Sequence, residues 1–281
     1  MTMPRRSFLC RIAAFTAAAS VGLAAPVARA GDAVGLVVIR EHGVGSAAQA
    51  QQYLDRLASA AAKVNGWPAV ESKYFTSRKL ADRWIGAHRP AFGIMTLGAY
   101  LGLRAAYGLK VVGTADVATA GGRRYYVVAK QGGDLSACKG KRLATNFADD
   151  PRFVEKVVAA GAFSLSDFTL VPTRRPVQTI HAVIRGDAEC ALIDDAQFAD
   201  LGAIEGGAAL RPVWTSAEFP PMVVVAFGTA DAALVAKFRK NLPKVCAGEG
   251  AEACKEVGIR RLAPSSDAAF RKYVKAYGRG G

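Results

Sequence analysis

Two carboxylates, Asp194 and Asp195, stand side by side directly after the apolar run Cys190-Ala191-Leu192-Ile193 and before a helical segment. At the carboxyl end of a strand such a residue has two uses. It caps the next helix by accepting its first N–H groups, or it points past the sheet edge at a ligand. At least one of the pair is therefore expected to face a cleft, while the other can cap the helix. Polar groups recur after other strand-like runs: Tyr74 after the second, Thr96 with Leu97 where a hydroxyl meets a free N–H, and Thr145 with Asn146. Arg123, Arg124, Arg174 and Arg175 lie near these segments and carry the guanidinium fork that suits oxyanions. This is the chemistry of binding. No G-x-S-x-G elbow or H-E-x-x-H motif is present, and His42, His88 and His181 have no motif partners. Only His42, after the first strand, is placed near the cleft, and the cysteine and histidine spacing does not suit a metal.

The elements that must position these residues alternate between strand and helix. Residues 34–39 form an uninterrupted apolar run, as expected of a strand buried on both faces. A helix capped by Ser46 follows to about residue 65, then strand 67–75, helix 77–88 and a short buried strand at 92–95. Further strands are predicted at 110–117, 125–130, 142–145, 168–171, 189–193, 210–215 and 222–227, with helices at 151–160, 177–185, 231–245 and 267–277. Strands alternating with helices predict parallel-rich sheets with crossover helices. There are too many units for one small sheet, so two α/β lobes are expected, residues 31–120 with 217–281 and residues 121–216. Gly121-Gly122 and Pro220-Pro221 mark the two crossings as hinge candidates.

The chain opens with Arg5-Arg6-Ser7-Phe8-Leu9, an alanine-rich apolar stretch, then Ala28-Arg29-Ala30. This pattern predicts an export leader of the twin-arginine kind, cleaved after Ala30. Its four arginines and lack of acids would lower the formal charge from +14 to +10 in the mature chain. No Lys/Arg run exceeds two residues and no aromatic stripe is interleaved, which argues against nucleic acid as a partner. Four cysteines follow the leader and allow three pairings. Cys246 and Cys254, closing a short glycine-containing loop in an oxidising compartment, are expected to pair.

The segments "GGDLSACKGKRLATN" (132–146), "FGIMTLGAYLGL" (92–103), "YYVVAK" (125–130), "VIRGDAECALIDDAQFADL" (183–201) and the proline pair before "MVVVAF" follow one another in a telling order. In order and spacing they resemble the phosphate/phosphonate family of ABC-transporter substrate-binding proteins, over roughly residues 34–245. The resemblance implies a two-lobed periplasmic binding fold of type 2 that closes by a hinge on a small polar, oxyanion-bearing ligand and delivers it to a membrane permease. It implies no catalysis, no cofactor and a monomer. It also assigns Tyr100 as a cleft tyrosine and an acid at Asp194 or Asp195 as a ligand contact. Two departures stand out: the turn after the "GKR" strand carries Asp149-Asp150-Pro151 where the family has serines and threonines, and "RRPVQ" replaces a cleft histidine.

Two rival readings remain. A sensor subunit docking on a membrane receptor would use the same fold. The G-x-G-x-x-A pattern within "HGVGSAA" (42–48) suggests an exported dinucleotide oxidoreductase, but the next strand ends Lys73-Tyr74-Phe75 without the ribose-binding acid.

Overall fold

The computed structural model describes residues 33–42, 47–118 and 121–278. The leader, its cleavage position and the glycines of the G-x-G-x-x-A pattern lie outside the described residues. The chain begins with β1 (Val34–Ile39), α1 (Ala47–Asn65), β2 (Val70–Phe75), α2 (Arg78–His88), β3 (Phe92–Met95), α3 (Leu97–Tyr107) and β4 (Lys110–Val117). It continues with β5 (Tyr125–Ala129), β6 (Arg142–Thr145), α4 (Pro151–Phe153), β7 (Thr169–Pro172), α5 (Pro176–Arg185), β8 (Cys190–Asp194), α6 (Asp195–Ala199) and β9 (Arg211–Thr215). The last elements are β10 (Met222–Ala226), α7 (Ala232–Val245), α8 (Gly250–Glu256), β11 (Ile259–Pro264) and α9 (Asp267–Gly278).

These strands form two sheets, ordered β11-β4-β10-β3-β1-β2 and β7-β6-β8-β5-β9. Strands reached through a helical crossover run parallel, as β1 does with β2 and β3, and β6 with β7 and β8. The sheets are nevertheless mixed and less parallel than the alternation predicts. β10 inserts antiparallel between β3 and β4, and β5 antiparallel between β8 and β9. Each is the first strand after the chain passes from one sheet to the other, with no helix among the described residues of that connection to restore the direction.

Burial explains the element choices. β8 and β10 are buried throughout, as their unbroken apolar runs require. One cluster, with Val37, Ile39, Leu97 and Tyr100 from the first sheet's side and Val127, Leu143 and Leu192 from the second, is continuous across both sheets. The opposite faces are covered separately, by α1 and α7 on the first sheet and by α5 on the second. Two disulfides fix local geometry. Cys246 is bonded to Cys254, and Cys138 to Cys190 at the start of β8. Closing a loop with a sequence separation of 52 residues, the second contributes on the order of 4 kcal/mol by restricting the unfolded chain. Among the described residues no helix is long and apolar enough to cross a membrane.

Candidate functional site

The ends of β1, α2, α3, α4 and α6 converge on a gap between the two sheets, lined by Glu41, Arg78, Thr96, Tyr125, Asp150 and Asp194 among others. The first sheet's side is built around Arg78. Ser77 caps α2, so the next residue leaves the helix start towards the gap. Its guanidinium lies along α3 over Gly98 and Gly102. A Cβ on Gly98 would sit 3.2 Å from Nη2, and one on Gly102 would collide with Nη1. Glycine at both positions leaves the arginine its bed. There it holds Glu41, which follows β1 by two residues, through both oxygens: Nε donates to Oε1 and Nη2 to Oε2, each at 2.8 Å. Nη1 donates to Asp150 Oδ2 of the second sheet's side at 2.6 Å. The Tyr277 hydroxyl donates to the same Asp150 oxygen at 3.2 Å. Burial acts to lower the Arg78 pKa, but Glu41 and Asp150 outweigh it and hold the value above the ordinary one.

Thr96 caps α3. Its hydroxyl accepts from Ala99 N at 3.5 Å and donates to Glu41 Oε2 at 3.3 Å. The Glu41 carboxylate therefore lies at the start of an eleven-residue helix, gripped by a guanidinium fork and a hydroxyl. These are the partners a ligand oxyanion would choose.

The second sheet answers with caps of its own. Asp150 precedes Pro151, and its Oδ1 accepts from Phe153 N at 2.9 Å. Asp194 Oδ1 accepts from Gln197 N at 3.0 Å, while the Gln197 side chain returns a bond to Asp194 N. Asp194 is almost fully buried, and burial pushes its carboxyl up to about 7, with Asp195 adding to the rise and the Gln197 N–H and Arg40 opposing it. A Cβ on Gly121 would collide with Asp194 Oδ2, so the first crossing passes this carboxyl only as glycine, at φ 75°. Beneath the gap Tyr125 meets Phe147, Phe153 and Phe219 edge to face, and burial holds its hydroxyl protonated well above the ordinary range. The cavity that remains is about 30 Å³, room for little more than one water.

Of the residues singled out from sequence, Thr96 and Asp194 line this cavity, as does His42, which lies 3.6 Å from Asp149 and edge-on to Phe147. The expected division of labour between the two aspartates is different in the structure. Asp194 both caps α6 and faces the gap. Asp195 turns away and accepts from the backbone N–H groups of Arg123 and Arg124 at 2.8 and 3.2 Å, pinning the chain just after the first crossing.

Other expected site residues lie elsewhere. Tyr100 is fully buried, with its hydroxyl on Asp267 Oδ1 at 3.3 Å and its ring against Phe270. One helical turn past Thr96, it falls on the core face of α3, while the glycines take the gap face. Leu97 is packed in the same core. Tyr74 lines a separate cavity of about 150 Å³ with Val38, Arg40, Leu54 and Leu57. Arg124 pairs with Glu218, as does Arg123, and neither lines the gap. Thr145 and Asn146 are buried behind it. Asn146 Oδ1 accepts from Thr179 Oγ1 and Gln197 Nε2, while its Nδ2 has no partner among the described residues. Glu41 and Arg78 escaped sequence reasoning although each lies within three residues of the end of a parallel strand, and the Gly98/Gly102 spacing was the further signal. Among the described residues no group of three or more His, Cys, Asp or Glu is placed to hold a metal ion.

Two mixed sheets joined by two crossings, with helix starts facing each other across a gap, define the fold of a two-lobed solute-binding protein. Several solved structures share it. PhnD1 from Prochlorococcus marinus in complex with methylphosphonate superposes with a TM-score of 0.65 at 10% identity, covering 88% of this chain and 97% of that one. XAC2383 from Xanthomonas citri bound to chloride ion gives 0.68 at 14%, covering 88% and 96%. A binding protein component of an ABC phosphonate transporter from Pseudomonas aeruginosa gives 0.62 at 12%, covering 89% and 91%. No curated protein matches the sequence. The family of ABC-transporter phosphonate periplasmic substrate-binding proteins matches residues 92–270, and the chain belongs to that family.

Proposed function

We propose that this chain is exported to the periplasm by its leader, cleaved after Ala30, and there binds a small polar, oxyanion-bearing solute between two lobes for delivery to an ABC permease. The lobes are residues 31–120 with 217–281, and residues 121–216. The reading rests above all on one observation: a guanidinium, a hydroxyl and the start of α3 face the starts of α4 and α6 across a single gap, and Arg78 spans it. The protein acts by holding the solute and catalyses nothing. Arg78 and Thr96 hold the oxyanion, and Asp194, half-protonated near neutrality, donates to or accepts from the polar remainder of the solute.

With so little free volume the lobes part to admit a solute and close over it, in a hinge at Gly121-Gly122 and Pro220-Pro221. Thermal-shift and calorimetric titration with phosphate, phosphite, sulfate, methylphosphonate and 2-aminoethylphosphonate tests this. At least one is expected to raise the melting temperature, with a smaller radius of gyration in X-ray scattering. Failure of every compound, with wild type and with the cleft variant described next, would contradict the proposal.

A further inference from the structure

We infer that Glu41 is an internal stand-in for the ligand's oxyanion, and that its charge sets the affinity and selectivity of the cleft. The inference rests on the solute-binding reading and goes beyond it. Both oxygens of Glu41 are engaged as a bound oxyanion's would be, two guanidinium N–H groups and the Thr96 hydroxyl converging on one carboxylate at 2.8, 2.8 and 3.3 Å. Its side chain is 7% exposed. A Cβ on Gly98 would lie 3.5 Å from Oε2, so the carboxylate sits against the first turn of α3, where the helix dipole favours negative charge. An incoming anion must take this seat and meet Glu41 as a competitor for Arg78 and as a like charge a few ångströms away.

The geometry allows the exchange on this side of the gap alone. Glu41 is not part of the helix it neutralises. It comes from the turn after β1 and can swing out without unwinding α3, whereas Asp150 and Asp194 belong to the helix starts they cap. Asp150 completes the arrangement. By bonding Arg78 from the second sheet's side it ties the two sides of the gap together over the Glu41–Arg78 pair.

Removing the charge while keeping the shape tests this. In the full chain, Glu41→Gln is expected to bind methylphosphonate at least about tenfold more tightly than wild type by calorimetry, equivalent to ~1.4 kcal/mol. Adding Arg78→Gln is expected to abolish the gain. Glu41→Ala, which vacates the seat, should be stabilised against heat by millimolar acetate and should lose that response when methylphosphonate is added, while wild type ignores acetate. Equal or weaker methylphosphonate binding by Glu41→Gln, or a Glu41→Ala protein indifferent to acetate, overturns the inference. Should a solute without an oxyanion bind wild type while no anion binds either variant, the inference fails and solute binding stands. If nothing binds and scattering detects no closure, the solute-binding reading fails with it.

Discussion

The two sides of the gap neutralise their helix starts in opposite ways. On the first sheet's side α3 is capped by its own Thr96, but the negative charge at its start comes from Glu41, a residue from another strand's end, held by Arg78. On the second sheet's side α6 is served by its own Asp194, locked in a reciprocal cap with Gln197. A side chain that comes from a neighbouring loop can be exchanged for a ligand. One that belongs to the helix it caps leaves only at the cost of the helix start. The difference makes the first side the anion seat and the second a fixed wall.

That contrast can be broken from either side. The largest expected effect is deliberately neutral to it: Cys138→Ala with Cys190→Ala should cost on the order of 4 kcal/mol in urea unfolding by lifting the restriction on the unfolded chain. Anion affinity should stay within a few-fold, because the seat lies on the other sheet. Arg78→Gln leaves Glu41 and Asp150 without their countercharge, and removal of one member of a buried pair costs about 3 kcal/mol or more. Unlike the disulfide variant, it should also abolish methylphosphonate binding in calorimetry.

Asp194 sharpens the second side through pH. Its folded value of about 7 lies above the ordinary 3.8, so the folded chain holds a proton that the unfolded chain has released. This contribution is complete below about pH 4 and is lost as pH rises towards 7. Asp194→Asn keeps the capping oxygen and removes the titration. Melting temperatures measured between pH 5 and 8 should therefore decline less in the variant than in wild type. The smallest effect is Thr96→Val, expected to cost about 1 kcal/mol in denaturant unfolding for the lost cap and to weaken the hold on Glu41.

Much of this architecture was legible in the chain. The unbroken apolar runs of β1, β8 and β10 announced buried strands, and the order of short motifs announced two lobes. Strand direction was not legible, because β5 and β10 follow passages between sheets and nothing in their composition records the sense in which they enter. β11 was missed because Arg260 and Arg261 interrupt its apolar pattern with two exposed charges. α8 was missed because its segment reads as a glycine-containing loop between two cysteines.

At the site, attention to aromatic rings favoured Tyr74 and Tyr100, which the fold spends on other cavities and on the core. The informative residues were plainer. A glutamate and an arginine just past parallel strands needed only the two glycines of "LGAYLG" to show where the arginine would lie.

A crystal structure of the Glu41→Gln protein with methylphosphonate tests the central claim most directly. The phosphonate oxygens should lie within hydrogen-bonding distance of the Arg78 guanidinium and the Thr96 hydroxyl, with the methyl group turned towards Tyr125. Methylphosphonate bound outside the gap, or with Arg78 still closed on residue 41 and Asp150, would contradict it.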